Sequence, residues 1–359
     1  MQNQRNTAVR KKHGSISRLG ITGMVLSSLY LCAEPVRADT ASTPQCHYVN
    51  LVTLPFKTVN NKVIVAGSIN GKATDMVLDT GAQSTSLTKA GVENMGLTLL
   101  HSQVSSVGIG GESDTYEVVV DDMALDKYHT KSHRRLLVLM NSFLPYNAII
   151  GANILFSSDV EFNFTDHTVK LFRPSGCDDT FLAYWDNNAS EAPLVEMSSK
   201  DARQVVMVEL NGKKIRAMID SGAPYSMISL NFAAGLGMTP QSPGVKKMGA
   251  VAGVGKHQTQ TWLGQFDQLT IGGETIQHPA LVITDLWGSA RSDATTSAMS
   301  GFLDDQPEML LGADFLRAHR VLFALSQKRI YFSYVGGNVF GGATGARPTA
   351  SENQSKTNN

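Results

Sequence analysis

The chain reads as a succession of short β-patterned runs broken by glycine-containing turns. "INGKATDMVLDTGAQSTSLT", residues 69–88, shows the unit most plainly. Apolar positions flank Asn70-Gly71, and Asn-Gly between apolar runs is the strongest short-range hairpin signal. The second run climbs through Met76, Val77 and Leu78 to an acid, Asp79, where Thr80 and Gly81 turn the chain sharply. Further on, "TYEVVV" (115–120), "VEFNFTDHTVKLF" (160–172) and "VLFALSQKRIYFS" (321–333) are rich in β-branched and aromatic residues and predict strands. Helical stretches are few: "NFAAGLGM" (231–238) and "ADFLRAH" (313–319) predict two short helices.

The pattern occurs twice. "LNGKKIRAMIDSGAPYSMIS", residues 210–229, matches the first unit. In each, an Asn-Gly-Lys opens the hairpin and the acid, Asp79 or Asp220, follows nine positions after the Asn. Each acid therefore ends the second strand of a hairpin. Downstream, the glycine-rich "SVGIGGES" (106–113) has a counterpart in "GAVAGVGKH" (249–257), and "AIIGANIL" (148–155) one in "MLLGADFL" (309–316). The latter pair sets two aliphatics before a glycine, Gly151 or Gly312, and then Asn153 or Asp314. No other Asp-Thr/Ser-Gly occurs in the chain.

The halves differ in length. From Asp79 to Gly151 is 72 residues, and from Asp220 to Gly312 is 92. Most of the excess lies at 287–308, a stretch expected to be a surface loop. The reading divides the chain into a first lobe at 47–175, a polar connector at 176–199, a second lobe at 200–335 and a tail of disordered composition at 336–359.

Residues 1–38 read as an export signal: five basic residues between Arg5 and Arg18, an uncharged stretch from Leu19 to Ala33, then Val36-Arg37-Ala38 before a mature start at Asp39. That stretch falls short of the roughly 20 residues that span a bilayer. A periplasmic or secreted protein is expected; an uncleaved membrane anchor is the alternative. With Cys32 removed, Cys46 and Cys177 remain. In an oxidising compartment they are candidates for a disulfide, the other reading being two buried thiols.

Composition adds mainly exclusions. The 359 residues carry zero formal net charge, so there is no basic excess for nucleic acid. Neither a Gly-x-Ser-x-Gly elbow, a His-Glu-x-x-His nor a Cys-x-x-Cys is present, and the glycine-rich tips do not form a dinucleotide fingerprint. No metal or cofactor is expected; His101, His129 and His133 read as a solvated strand edge.

The paired Asp79-Thr80-Gly81-Ala82 and Asp220-Ser221-Gly222-Ala223 segments, with the glycine-rich stretches and the two aliphatic-aliphatic-Gly motifs, resemble the aspartic proteases of the pepsin and retropepsin superfamily. The resemblance spans about 60–335 and is greatest to bacterial exported members with two retropepsin-like units in one chain. It implies an all-β fold: two related acid-protease-like barrel lobes with an active-site cleft between them. Asp79 and Asp220 would be the catalytic pair, with the hydroxyls of Thr80 and Ser221 bonding across the loops. Gly108, Ile109, Gly110 and Gly111 would form a flap over an extended substrate. The flap tyrosine of pepsin-like enzymes is missing from this tip, which favours a retropepsin-like closure.

The chemistry has its own logic. Gly81 and Gly222 permit a tight turn and leave room for the opposing loop, and Gly151 and Gly312 let a strand pass close beside each acid loop. Two carboxyls at about 3 Å cannot both ionise; sharing one proton, they supply a base for water and an acid for the carbonyl oxygen. The expected activity is hydrolysis of peptide bonds in a peptide or protein substrate by a monomeric endopeptidase. A silent peptide-binding protein of the same fold, or a protease formed by two chains pairing half to half, are the alternatives.

Overall fold

The computed structural model describes residues 45–340, apart from 199–200 and 295–296. The expected signal segment, 1–38, and most of the tail lie outside the described residues.

Each half builds its acid loop in the same way. Strands Lys62–Ile69 and Lys72–Leu78 form the first hairpin, and Val205–Leu210 and Lys213–Ile219 the second. Their turns place Asn70 and Gly71 at φ 48° and 77°, and Asn211 and Gly212 at φ 48° and 78°. Two consecutive positive φ values are what a twisted two-residue hairpin demands, and Asn-Gly adopts them at least cost. Each turn Asn also fastens the hairpin to its neighbour. Asn70 Oδ1 accepts from the amides of Asp121 and Asp122 at 2.9 and 3.1 Å, and Asn211 Oδ1 from those of Asp267 and Gln268 at 2.8 and 3.1 Å.

Beyond each acid the chain returns alongside itself. Ala148–Ile150 runs parallel to Met76–Leu78 and antiparallel to Ser86–Leu87, and Met309–Leu311 repeats this against Ala217–Ile219 and Met227–Ile228. Short helices follow: Lys89–Met95, capped by the Thr88 hydroxyl, and Leu230–Gly235, capped by Ser229. The second lies within the 231–238 expectation to a residue or so, and Ala313–Ala318 matches the other.

Beneath both lobes lies one antiparallel sheet. Its strands run, in order, His47–Pro55, Thr168–Ser175, Asp159–Asn163, His319–Ala324, Arg329–Tyr334 and Ser190–Pro193. The lobes join at its centre, where Val160 faces Phe323 and Phe162 faces Val321. A single apolar core extends from Leu54 and Val63 in the first lobe through Phe162 and Phe323 to Ile228 and Leu269 in the second. The fold is thus all-β, as expected, with two related lobes on a common base.

Two stretches depart from the sequence reading. The polar connector contains a strand, Ser190–Val195, that closes the base sheet at one edge and then pairs with Val205–Val206 of the second lobe. Pro193 is tolerated there because an edge strand has amides that need no partner. The 287–308 stretch is no plain surface loop: it contains helices Gly288–Asp293 and Ser297–Asp304, and Trp287, Ala290 and Leu303 are buried in a second apolar cluster.

A disulfide joins Cys46 to Cys177, across 131 residues, just beyond the His47–Ser175 pairing at the other edge of the base sheet. Closing so long a loop restricts the unfolded chain. Replacing both cysteines by serine is expected to lower stability by about 2–4 kcal/mol, read from urea unfolding under non-reducing conditions; an unchanged midpoint would show the sheet edge held without it.

Candidate active site

The two acid loops meet at the centre of the molecule. Thr80 and Ser221, both fully buried, take part in four hydrogen bonds across the junction, two of them with each other. The Thr80 amide donates to Ser221 Oγ (3.0 Å) and the Ser221 amide to Thr80 Oγ1 (2.9 Å). Each hydroxyl then donates to a carbonyl in the opposite strand: Thr80 Oγ1 to Ile219 O and Ser221 Oγ to Leu78 O, both at 2.7 Å. Every polar atom of both hydroxyls is thereby used, with one bond accepted and one given.

The junction brings Asp79 and Asp220 side by side. Asp79 Oδ1 accepts from the amides of Gly81 (3.0 Å) and Ala82 (2.9 Å), and Asp220 Oδ1 from those of Gly222 (2.8 Å) and Ala223 (3.1 Å). These bonds orient the carboxyl groups alike. The glycines are sterically required. A Cβ on Gly81 would lie 2.4 Å from the Asp220 carboxyl carbon, and one on Gly222 would lie 2.3 Å from that of Asp79. Burial, and next the charge and hydrogen bond of Asp79, hold Asp220 well above the ordinary carboxylate range, while the Lys62 ammonium and the Gly222 amide pull it back.

Support comes from below. Gly151 passes so close that a Cβ would meet Ala82 O at 2.8 Å, and Gly312 approaches Ala223 O equally. Thr85 Oγ1 accepts from the Gly151 amide and donates to Asn153 Oδ1 (3.0 and 2.9 Å). Ser226 Oγ does the same between the Gly312 amide and Asp314 Oδ1 (2.9 and 2.6 Å). The two halves differ in one atom of this brace: an amide in the first, a carboxyl in the second.

Above the acids a cleft of about 810 Å³ opens between the lobes. Its first-lobe wall includes Gln83, Ser84, Leu137, Leu139 and Leu144; its second-lobe wall includes Met218, Met227, Trp287, Met299 and Phe302. The last three come from the 287–308 stretch. Trp287 is fixed by its indole N–H donating to Pro307 O at 2.8 Å.

Gly108, Ile109, Gly110 and Gly111 form the tip of a hairpin, Ser106–Gly108 with Gly111–Ser113, that lies over the cleft. The tip is fastened to the matching turn of the second lobe: the Gly110 amide donates to Val254 O (2.9 Å) and the His257 amide to Gly110 O (2.8 Å). A third element clasps it. Asp293 Oδ2 accepts from the Glu112 amide at 2.8 Å, and Asp293 Oδ1 lies 3.4 Å from His257 Nε2. Gly111, at φ +88°, has no room for a side chain, since a Cβ would fall 2.2 Å from Asp293 Oδ2. His129 and His133 sit elsewhere, beside Asp122 and Asp121 on the long hairpin Thr115–Leu139; among the described residues no group of side chains is arranged to hold a metal.

Sequence reasoning missed Lys62, Asp293 and the cleft-lining part of 287–308. A signal existed for the first: Lys62 and Arg203 each stand eight residues before the Asn of their hairpin turn, a matched pair of cations.

Two outcomes follow from this geometry. Burial pushes Asp314 up to about 6, against the downward pull of its bonds to Ser226 and Phe315. The folded state therefore binds this proton more tightly than the unfolded state, and stability from this group is lost as pH rises from about 4 to about 6. Asp314→Asn, which copies the Asn153 brace, is expected to gain roughly 2–3 kcal/mol at pH 7 and nothing below about pH 4, by denaturant unfolding at both pH values. Asp293→Ala removes a charge-assisted bond from the hairpin tip. Amide exchange at Gly110–Glu112 is expected to quicken about tenfold, read by hydrogen-exchange NMR.

The family described as aspartyl protease matches residues 65–153 and 206–315, each span enclosing one acid loop, one glycine-rich turn, and one aliphatic-aliphatic-Gly motif. No curated protein matches the chain. The two matches together cover more than half of the sequence, and the chain belongs to the aspartyl protease family, with two units of it in tandem.

Proposed function

We propose that the protein is an aspartic endopeptidase in which Asp79 and Asp220 share one proton and activate a water molecule between them. The supporting observation is the pair itself: two carboxyls, each oriented by two backbone amides, side by side at the floor of a largely apolar cleft. The ionised member takes a proton from the water as it attacks the scissile carbonyl carbon. The neutral member donates to the carbonyl oxygen as charge develops there. The carboxyl that took the water's proton then passes it to the amide nitrogen, the C–N bond breaks, and the hydroxyl proton returns to the other carboxylate as the carbonyl re-forms; no covalent bond to the enzyme forms.

The cleft favours an extended peptide with apolar side chains beside the scissile bond. The flap supplies backbone groups to such a strand and excludes water. Because both acids come from one chain and share one base sheet, the working unit is a monomer. Export to an oxidising compartment agrees with the Cys46–Cys177 bridge. Among the described residues no helix is long and apolar enough to cross a membrane.

Asp79→Asn and Asp220→Asn, each alone, are expected to abolish cleavage of a mixed peptide library while leaving the thermal unfolding transition in place. The wild-type rate is expected to be bell-shaped in pH, because the pair is inactive with two protons and with none. Mass spectrometry of the products, with and without a pepstatin-type inhibitor, reads both results. Undiminished cleavage by either variant would overturn the shared-proton mechanism.

A further inference from the structure

The cleft is lined by four charged residues: Asp79, Asp220, Lys62 and Arg203. The two cations occupy matching positions in the repeat but have different surroundings. Arg203 is neutralised within its own lobe. Its guanidinium grips Asp201 through Nε (2.9 Å) and Nη2 (2.6 Å), donates to Gln306 Oε1 (2.8 Å) and lies 5.6 Å over the Phe302 ring. A buried, two-pronged pair of this kind has little charge left to act elsewhere.

Lys62 instead crosses to the other lobe. Asn60 and Asn61, both at positive φ, turn the chain toward the second acid loop. Asn61 Nδ2 donates to Pro224 O (3.3 Å), and Arg317 donates to Asn61 Oδ1 (3.0 Å). Thus held, the Lys62 ammonium donates to Gly222 O, the carbonyl of the glycine packed against Asp79. Among the described residues no carboxylate is within ion-pair distance of it. Its field therefore falls on the nearest acids, and its Coulomb attraction favours the charged form of Asp220.

We propose, building on the peptidase reading, that Lys62 is the counter-ion of the singly ionised Asp79/Asp220 pair and sets the pH range over which that pair holds one proton. A lone negative charge in an apolar cleft is costly unless a cation stands near it. Lys62 supplies that cation without bonding to either carboxyl, so both remain free to face a water. It is a positioning residue, acting through the pair. Since it favours every added negative charge, it pulls both proton-loss steps toward lower pH.

The other charged groups around the pair are otherwise engaged. Asp314, behind the second acid loop, is bound to Ser226, and Arg317 to Asn61. On the flap side Asp293 is engaged by the Glu112 amide and His257, and Lys256 is paired with Asp114; the Glu112 side chain is the remaining acid on the flap.

The test is a carboxyl titration of aspartate-labelled protein by carbon NMR, with signals assigned by their loss in D79N and D220N. Lys62→Gln keeps a donor for Gly222 O but removes the charge. Both steps of the pair are expected to move up by about one pH unit in this variant and to stay in place in Lys62→Arg. Lys62→Met, a second neutral variant, covers the case in which Lys62→Gln does not fold. Steps unmoved in the neutral variants, or moved as far in Lys62→Arg as in Lys62→Gln, would overturn the proposal. The titration needs no turnover, so a wild type that cleaves no peptide ends the peptidase reading and leaves this result to be judged separately. Where cleavage is measured, both limbs of the bell are expected to move with the titration.

Discussion

Two carboxyl groups that repel one another must be held in contact, and the rest of this structure is organised around that constraint. The crossed bonds of Thr80 and Ser221 meet it directly, since each hydroxyl is anchored by the amide and the carbonyl of the opposing lobe. Neither loop is complete alone. A junction of this kind tolerates no side chain at Gly81 or Gly222, because each glycine faces the other loop's acid at less than van der Waals distance for an added carbon. The base sheet performs the same task at larger scale: the central pairing of Asp159–Asn163 with His319–Ala324 fixes the spacing of the lobes from beneath.

Much of this was legible in the sequence because it is carried by local steric demands. Positive φ at Asn70-Gly71 and Asn211-Gly212, close approach at Gly151 and Gly312, and the aliphatic strands leading to each acid all leave short-range signatures. Duplication strengthened them, since a motif found twice at matched spacing fixes both its register and its partner. The grip between Thr80 and Ser221 was reachable only through the family resemblance, as nothing local says that a hydroxyl bonds 141 positions away.

What escaped the reading depends on distant partners. Ser190–Val195 looks like linker because its neighbours are polar and it contains Pro193, yet it is a strand because Ile330 and Tyr331 offer it an edge. The 287–308 stretch is rich in Ser, Ala and Asp, and its few large residues, Trp287, Met299 and Phe302, are spread too thinly to announce a cleft wall. Lys62 is one lysine in an ordinary strand start until the second acid loop is placed against it.

The two halves keep their symmetry where geometry is strict and lose it where charge and shape can be tuned. The acid turns, hydroxyls and glycines match one for one. By contrast, Asn153 stands opposite Asp314, Lys62 opposite Arg203, and seven residues, "NSFLPYN", opposite a stretch that folds into two helices. An enzyme assembled from two identical chains is bound to change both walls of its cleft together. Joining the halves in one chain removes that bond, so one lobe can neutralise its cation with Asp201 while the other extends its cation toward the acids. The same freedom lets a single lobe supply Asp293 to clasp the hairpin tip of its partner. Near the carboxyl pair, asymmetry therefore lies in the groups that set its electrostatic environment, its walls and its cover, while the pair itself stays nearly two-fold.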